Sequence, residues 1–300
     1  MKKILATLLV ALTFSAHAAE YEFVIPNPPG SAADTVGRTV AEEYNRQTGN
    51  SLILEYAPGA DHVIAATKFK TKKIAVSLGT TTMHIFNHVY RDSIPYTDSD
   101  FNIVGFLGWI PAVWYTAADS QYNNMQDILD AMAGNKNVFV GVDAFGVEVN
   151  VTSLVKNNPQ GKYINIIKYK GSAQTLTDVL GRHVDLAIGS VSELIVSNAK
   201  SGRIRILSTS NDRPIVIDGR TIPTSDKLLN VPQFNGGFIL AVTPGESAEL
   251  QQLRKDLLKT MASDAVRNKL KAINIEVEAG DADQAREKIL QYRQQLRLLK

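Results

Sequence analysis

The stretch YEFVIPNPPGSAAD (residues 21–34) runs from a strand into a helix, and its reading decides the fold. Residues 21–25 form a short, largely apolar run of strand type, and residues 32–48 continue with apolar side chains at helical spacing. Between them Pro26, Pro28 and Pro29 stiffen the approach and Gly30 permits tight backbone geometry. Ser31 with Asp34 fits the S-x-x-D capping box. The alternation continues along the chain, with strands expected at 51–56, 74–78, 137–142, 164–169, 184–188, 204–209 and 237–242. Helices are expected at 125–133, 173–180, 248–261 and from 281 onward. Such a pattern reads as α/β with a mostly parallel sheet. Neither an internal repeat nor a low-complexity linker interrupts it.

A helix start of the kind at Gly30 and Ser31 is a ready anion site, because free backbone N–H groups and the positive end of the helix dipole face whatever lies beyond it. The same Ser31 and Asp34 equally suit a plain helix cap, worth about 1 kcal/mol. A second turn, YKGSAQT (169–175), repeats the logic with Ser172 as N-cap and Gly171 as the point of close backbone approach. If one turn lies in each of two domains, a single ligand bridges them and closure follows from the shared contact.

Residues 1–18 read as a secretory signal: Lys2 and Lys3, an apolar run over 4–16, then Ala16-His17-Ala18 as a small-x-small cleavage site. The run falls short of the ~20 residues that span a bilayer. Cleavage leaves Ala19 first and places the protein in the periplasm. Cysteine is absent, which excludes disulfides, a lipid-attachment thiol and thiolate metal sites. The formal charge of +2 includes Lys2 and Lys3, so the exported chain is close to neutral, which argues against a nucleic-acid binder held by bulk charge. Roughly 280 remaining residues exceed one comfortable core. Two domains are therefore expected, the first from 19–114 plus 226–300 and the second from 115–225. Without a flexible linker, they are joined by strands crossing at 112–117 and returning within 210–236, with a ligand cleft between them.

The stretches PNPPGSAAD (26–34), LGTTTMHIFNHVY (78–90), YKGSAQTLTDVLGRHVDLA (169–187), KSGRIRILSTSNDR (200–213) and AVTPGESAEL (241–250) together resemble the substrate-binding proteins of tripartite tricarboxylate transporters. The resemblance implies an α/β, two-domain clamshell of the type II periplasmic-binding-protein kind. It also implies a monomer that captures a small carboxylate and delivers it to a small and a large membrane subunit, without cofactor or metal. Ser31 stands where the family commonly has a second glycine, and Asn27 where it often has an aromatic. Residues 143–148 (DAFGVE) replace a glycine- and threonine-rich turn with a histidine, and 68–73 replace an aspartate-glycine-tyrosine turn. These departures bear on ligand identity more than on fold.

By the same resemblance the ligand contacts Asn27, Gly30, Ser31 and Asp34 of the first loop, the run Thr80, Thr81 and Thr82, and Gly171 and Ser172 of the second. Hydroxyls and amides hold a carboxylate without proton transfer, and the lack of arginine in both loops argues against fully charged citrate. Phe145 or Trp109 could face an aromatic or aliphatic ligand body, or serve the core. His84 and His88 have a metal-ligand spacing, but no third ligand accompanies them, and packing or surface roles suit them better. The basic run 68–73 suits a solvated face. Two other readings use the same chain: a ligand-presenting partner of a membrane sensor kinase, and an envelope enzyme. For the enzyme the sequence offers no G-x-S-x-G elbow, P-loop or dinucleotide G-x-G-x-x-G.

Overall fold

In chain order the strands are β1 (Glu20–Ile25), β2 (Ser51–Tyr56), β3 (Ala75–Thr80), β4 (Asn102–Ile110), β5 (Ala112–Ala117), β6 (Val138–Val142), β7 (Ile164–Lys168), β8 (Leu186–Ser190), β9 (Ile204–Thr209), β10 (Ile215–Ile217), β11 (Arg220–Ile222), β12 (Gly236–Val242) and β13 (Glu276–Asp281). The structure is a computed structural model describing residues 18–143, 145–211, 213–229 and 235–299. The expected signal segment therefore lies, apart from Ala18, outside the described residues. Among the described residues no helix is long and apolar enough to cross a membrane.

The strands form a six-stranded sheet in the order β13-β4-β12-β3-β1-β2, a five-stranded sheet in the order β7-β6-β8-β5-β9, and the β10-β11 hairpin. Both large sheets are mixed, which corrects the expectation of a mostly parallel arrangement. β1 pairs in parallel with β2 and β3, and β6 with β7 and β8. In the first sheet β12 runs antiparallel to β3 and β4, and β13 antiparallel to β4; in the second, β5 runs antiparallel to β8 and β9. β5 and β12 are the strands that arrive from the opposite sheet, and each enters against the local direction. Residue periodicity reports which face of a strand is buried, not which way it runs.

Burial explains the elements. β3 and β5 are interior strands and every residue of each is buried, as expected of strands covered on both faces. The helix Ala32–Thr48 is capped by Ser31, whose hydroxyl accepts from the Asp34 N–H, and stops at Gly49 in the left-handed region (φ 75°). Its Val36, Val40 and Tyr44 enter the core with Phe23 of β1 and Leu253 and Leu257 of the helix Ala248–Met261. A second core gathers Trp114, Val140 and Ile188 with Met125, Ile128 and Met132 of the helix Met125–Ala133.

Residues 112–117, read from the sequence as a crossing segment, lie wholly within the second sheet as β5. The passage itself is the single residue Pro111, which has no N–H to offer a ladder and so separates β4 from β5. Beyond β9 the chain stays beside it, the Thr209 N–H donating to the Pro223 carbonyl at 2.8 Å and the Ser225 N–H to the Thr209 carbonyl at 3.2 Å, before β12 joins the first sheet. The end of β9 is tied to the start of β5: the Ser210 N–H donates to the Ala112 carbonyl at 2.9 Å, and the Ala112 N–H donates to Ser210 Oγ at 3.1 Å.

Candidate functional site

The parallel strands β1, β3, β6, β7 and β8 end at one cleft between the two large sheets, the usual place for a ligand in sheets of this construction. About 510 Å³ of space not filled by atoms lies there, part of it open to solvent. From the first-sheet side the cleft is lined by Asn27, Ser31, Ala32 and Ala33, by Thr80 to Thr82, by His62, and by Gly236 to Phe238 with Ile110. Asp143, Gly146, Val147, Ser172 and Ser190 line it from the second.

Of the residues expected from sequence, Asn27, Ser31, Thr80, Thr81, Thr82 and Ser172 border this cleft, whereas Gly30, Asp34 and Gly171 are not in its lining. Phe145 opens the helix Phe145–Asn157, whose next residues, Gly146 and Val147, are cleft residues. Trp109 is away from the cleft, its ring 4.8 Å from that of Phe106 and 4.9 Å from that of Tyr292. The His84 ring is buried edge-on against Phe101, and His88 lies 3.6 Å from the Asp98 carboxylate.

The first loop uses its polar groups on itself. Asp34 is buried; Oδ2 accepts from the Gly30 N–H at 2.8 Å, while Oδ1 accepts from the Tyr56 hydroxyl at 2.5 Å and meets Arg38 Nε at 2.8 Å. The Ser31 N–H donates to the Pro28 carbonyl. Both amides expected to hold an anion, those of Gly30 and Ser31, are therefore engaged. One step further on, Ala32 and Ala33 border the cleft, and among the described residues no acceptor faces their N–H groups. These are the orphan amides of the first helical turn, at the positive end of a 17-residue helix.

In the second loop Gly171, not Ser172, is the N-cap of the helix Ser172–Leu180. The Ser172 hydroxyl donates instead to Asp143 Oδ2 at 2.5 Å. Asp143 follows β6 directly and is 6 % exposed; its Oδ1 is buried without a hydrogen-bond partner among the described residues. Burial pushes its pKa up to about 6, against the pull of the Ser172 hydroxyl and its own backbone N–H.

His62 is the other ionisable group of the lining. Burial lowers its pKa to about 4, so the ring is neutral, and Nδ1 is 2.7 Å from Thr80 Oγ1, which also accepts from the Met83 N–H. Ala60, Asp61 and His62 all hold positive φ (48°, 51° and 71°), a run that L-residues disfavour. It is pinned from outside, as Asn87 Nδ2 donates to the Asp61 carbonyl at 2.8 Å and Arg91 pairs with the Asp61 carboxylate. Strain of this kind collects at functional sites.

Sequence reasoning passed over His62 and Asp143. A signal existed for both: PGADH (58–62) ends with a histidine just after β2, and Asp143 is the first residue beyond β6, within a turn already noted as unusual.

A profile of the tripartite tricarboxylate transporter family receptor matches residues 36–297. The chain belongs to that receptor family. The receptor is 23% identical over 299 residues to the "UPF0065 protein in tcbD-tcbE intergenic region" of Pseudomonas sp. (strain P51), covering 93% of this chain and 87% of that one. In fold it is similar to R. palustris Rpa4515, solved with adipate (TM-score 0.81, 20% identity, 93% of this chain and 95% of that chain). It is also similar to MatC (Rpa3494) from Rhodopseudomonas palustris with bound malate (TM-score 0.75, 18% identity, 92% and 98%). The receptor thus has the two-domain periplasmic-binding-protein fold. Within it, Asn27 and Ser31 both line the cleft.

Proposed function

We propose that this receptor captures a small carboxylate in the cleft and presents it to the small and large membrane subunits of a tripartite tricarboxylate-type transporter. The observation that carries the reading is the pair of unengaged amides at Ala32 and Ala33, at a helix start that opens onto the cleft. The carboxylate sits on those two N–H groups, with hydroxyls from Thr80 to Thr82 completing its shell, while the Ser172 hydroxyl is given to Asp143. Adipate and malate in similarly folded receptors support an acid of that size. Export by the segment 1–18 and action in the periplasm belong to the same reading, as do two lobes, built around the two large sheets, that rock about Pro111 and the return passage before β12.

A thermal-shift panel of mono-, di- and tricarboxylates and amino acids tests it, because a ligand at 100 times its Kd adds about 2.7 kcal/mol of stability. Stabilisation by at least one acid, lost on Ala32→Pro and Ala33→Pro substitution, is expected. Removal of these N–H groups without effect on binding would place the anion elsewhere.

A further inference from the structure

We propose that Asp143 makes this cleft selective for carboxylates that also carry an ammonium group, that is, for zwitterionic amino acids over dicarboxylates. The inference rests on the reading that the carboxylate lies at Ala32 and Ala33, and it specifies what lies opposite. Asp143 is a buried carboxyl group lining the cleft, with one oxygen held by Ser172 and the other without a partner. Among the described residues that line the cleft, none is a lysine or arginine. His62 is neutral and bound to Thr80, and the neighbouring Tyr115 hydroxyl is itself buried without an acceptor. A buried carboxylate left in this condition is costly, and the group that relieves it is a cation with a hydrogen to donate.

An ammonium group supplies both. A second ligand carboxylate would instead bring like charge against Asp143 in a low-dielectric space. Ile110, Val147 and Phe238 offer the wall for the ligand's aliphatic body. The two recognition groups also belong to opposite sides: Ala32 and Ala33 follow β1, while Asp143 and Ser172 follow β6 and β7. A ligand bearing both charges ties the sides together, whereas a simple acid engages one of them.

The test is calorimetric titration of the full-length protein with matched pairs: alanine against propionate, leucine against 4-methylpentanoate, and glutamate against glutarate. For at least one pair the amino acid should bind about 30-fold or more tightly than its deaminated partner, the scale expected for an unpaired buried charge. Asp143→Asn, checked for folding by circular dichroism, should shrink that ratio below about tenfold. The wild-type comparison stands by itself should the variant fail to fold. Deaminated acids that bind as tightly as their partners in every pair overturn the inference while leaving the carboxylate site intact. So does glutarate binding with proton uptake, read from buffers of different ionisation enthalpy, since Asp143 would then act as a protonated donor. Binding by none of the six acids overturns this inference, and the carboxylate reading falls with it only when the thermal-shift panel also shows no stabilisation.

Discussion

Gly171 sits against Pro28 so closely that a Cβ on the glycine would stand 2.8 Å from the proline Cγ and 3.1 Å from its Cδ. The two loops that begin the helices Ala32–Thr48 and Ser172–Leu180 therefore touch across the cleft. The φ of Gly171 is extended (165°), so what excludes a side chain there is space, not backbone strain.

Gly171→Val is expected to hold the loops apart and weaken binding of the best acid about 10- to 100-fold, following the 1–3 kcal/mol that overpacking commonly costs. Trimming the other side should restore most of the loss, so Gly171→Val with Pro28→Ala should bind more tightly than Gly171→Val alone. Calorimetry on the three proteins reads this, and a double variant no better than the single would remove Pro28 from the explanation.

Asp34 is saturated by Gly30, Tyr56 and Arg38. Asp34→Asn should consequently lower stability by about 1–3 kcal/mol, since the NH2 of a buried amide then faces donors arranged for a carboxylate. Affinity for acids should stay within about threefold of wild type, a change under 1 kcal/mol. Urea unfolding with parallel titrations decides; a large affinity loss at unchanged stability would put Asp34 in contact with ligand.

For His62 the backbone makes an unusual demand. Its φ of 71° suits glycine, so His62→Gly relieves strain of about 1 kcal/mol while deleting the imidazole, whereas His62→Ala deletes the ring and keeps the strain. The glycine variant should be the more stable of the two by about that amount in chemical denaturation. Equal stabilities would mean that the turn relaxes freely.

The pKa of Asp143 is raised from 3.8 to about 6, so the folded protein binds this proton more tightly than the unfolded chain does. Its stabilising contribution is present below about pH 4 and is lost as pH rises through about 6. His62 and His84, lowered to about 4 and about 3, act in the opposite sense and withdraw stability as pH falls below about 6.5. Asp143→Asn removes only the first effect. Relative to wild type, the variant should gain on the order of 3 kcal/mol between about pH 4 and pH 7.5. A stability difference that does not change with pH would show that the carboxyl is not held in its protonated form.

Much of this was legible in the sequence where local chemistry decides. The PNPPGSAAD turn, the Ser31 cap and the α/β alternation follow from residues close together in the chain. What escaped depends on distant partners. That Asp34 would be claimed by Tyr56, and Ser172 by Asp143 rather than by its own helix, is decided by elements that meet only in three dimensions. β4 was missed because its run NIVGFLGWI is apolar on both faces and carries two glycines, giving neither helical nor alternating periodicity. His62 hid in a turn where three left-handed residues in a row are not what the residue types favour.

The place of β12 has a consequence for how the chain is made. This strand fills the slot between β3 and β4 in the middle of the first sheet, yet it is synthesised only after every strand of the second sheet is complete. Until then β3 and β4 each present an unpaired edge of buried-type residues, the arrangement most prone to mispairing with other chains. The second sheet is the natural first folding unit and the first sheet the aggregation-sensitive one. Pulsed hydrogen exchange during refolding should protect β6 and β8 before β3 and β4. A holding chaperone should therefore raise the yield of folded protein most when it is present before Gly236 has emerged.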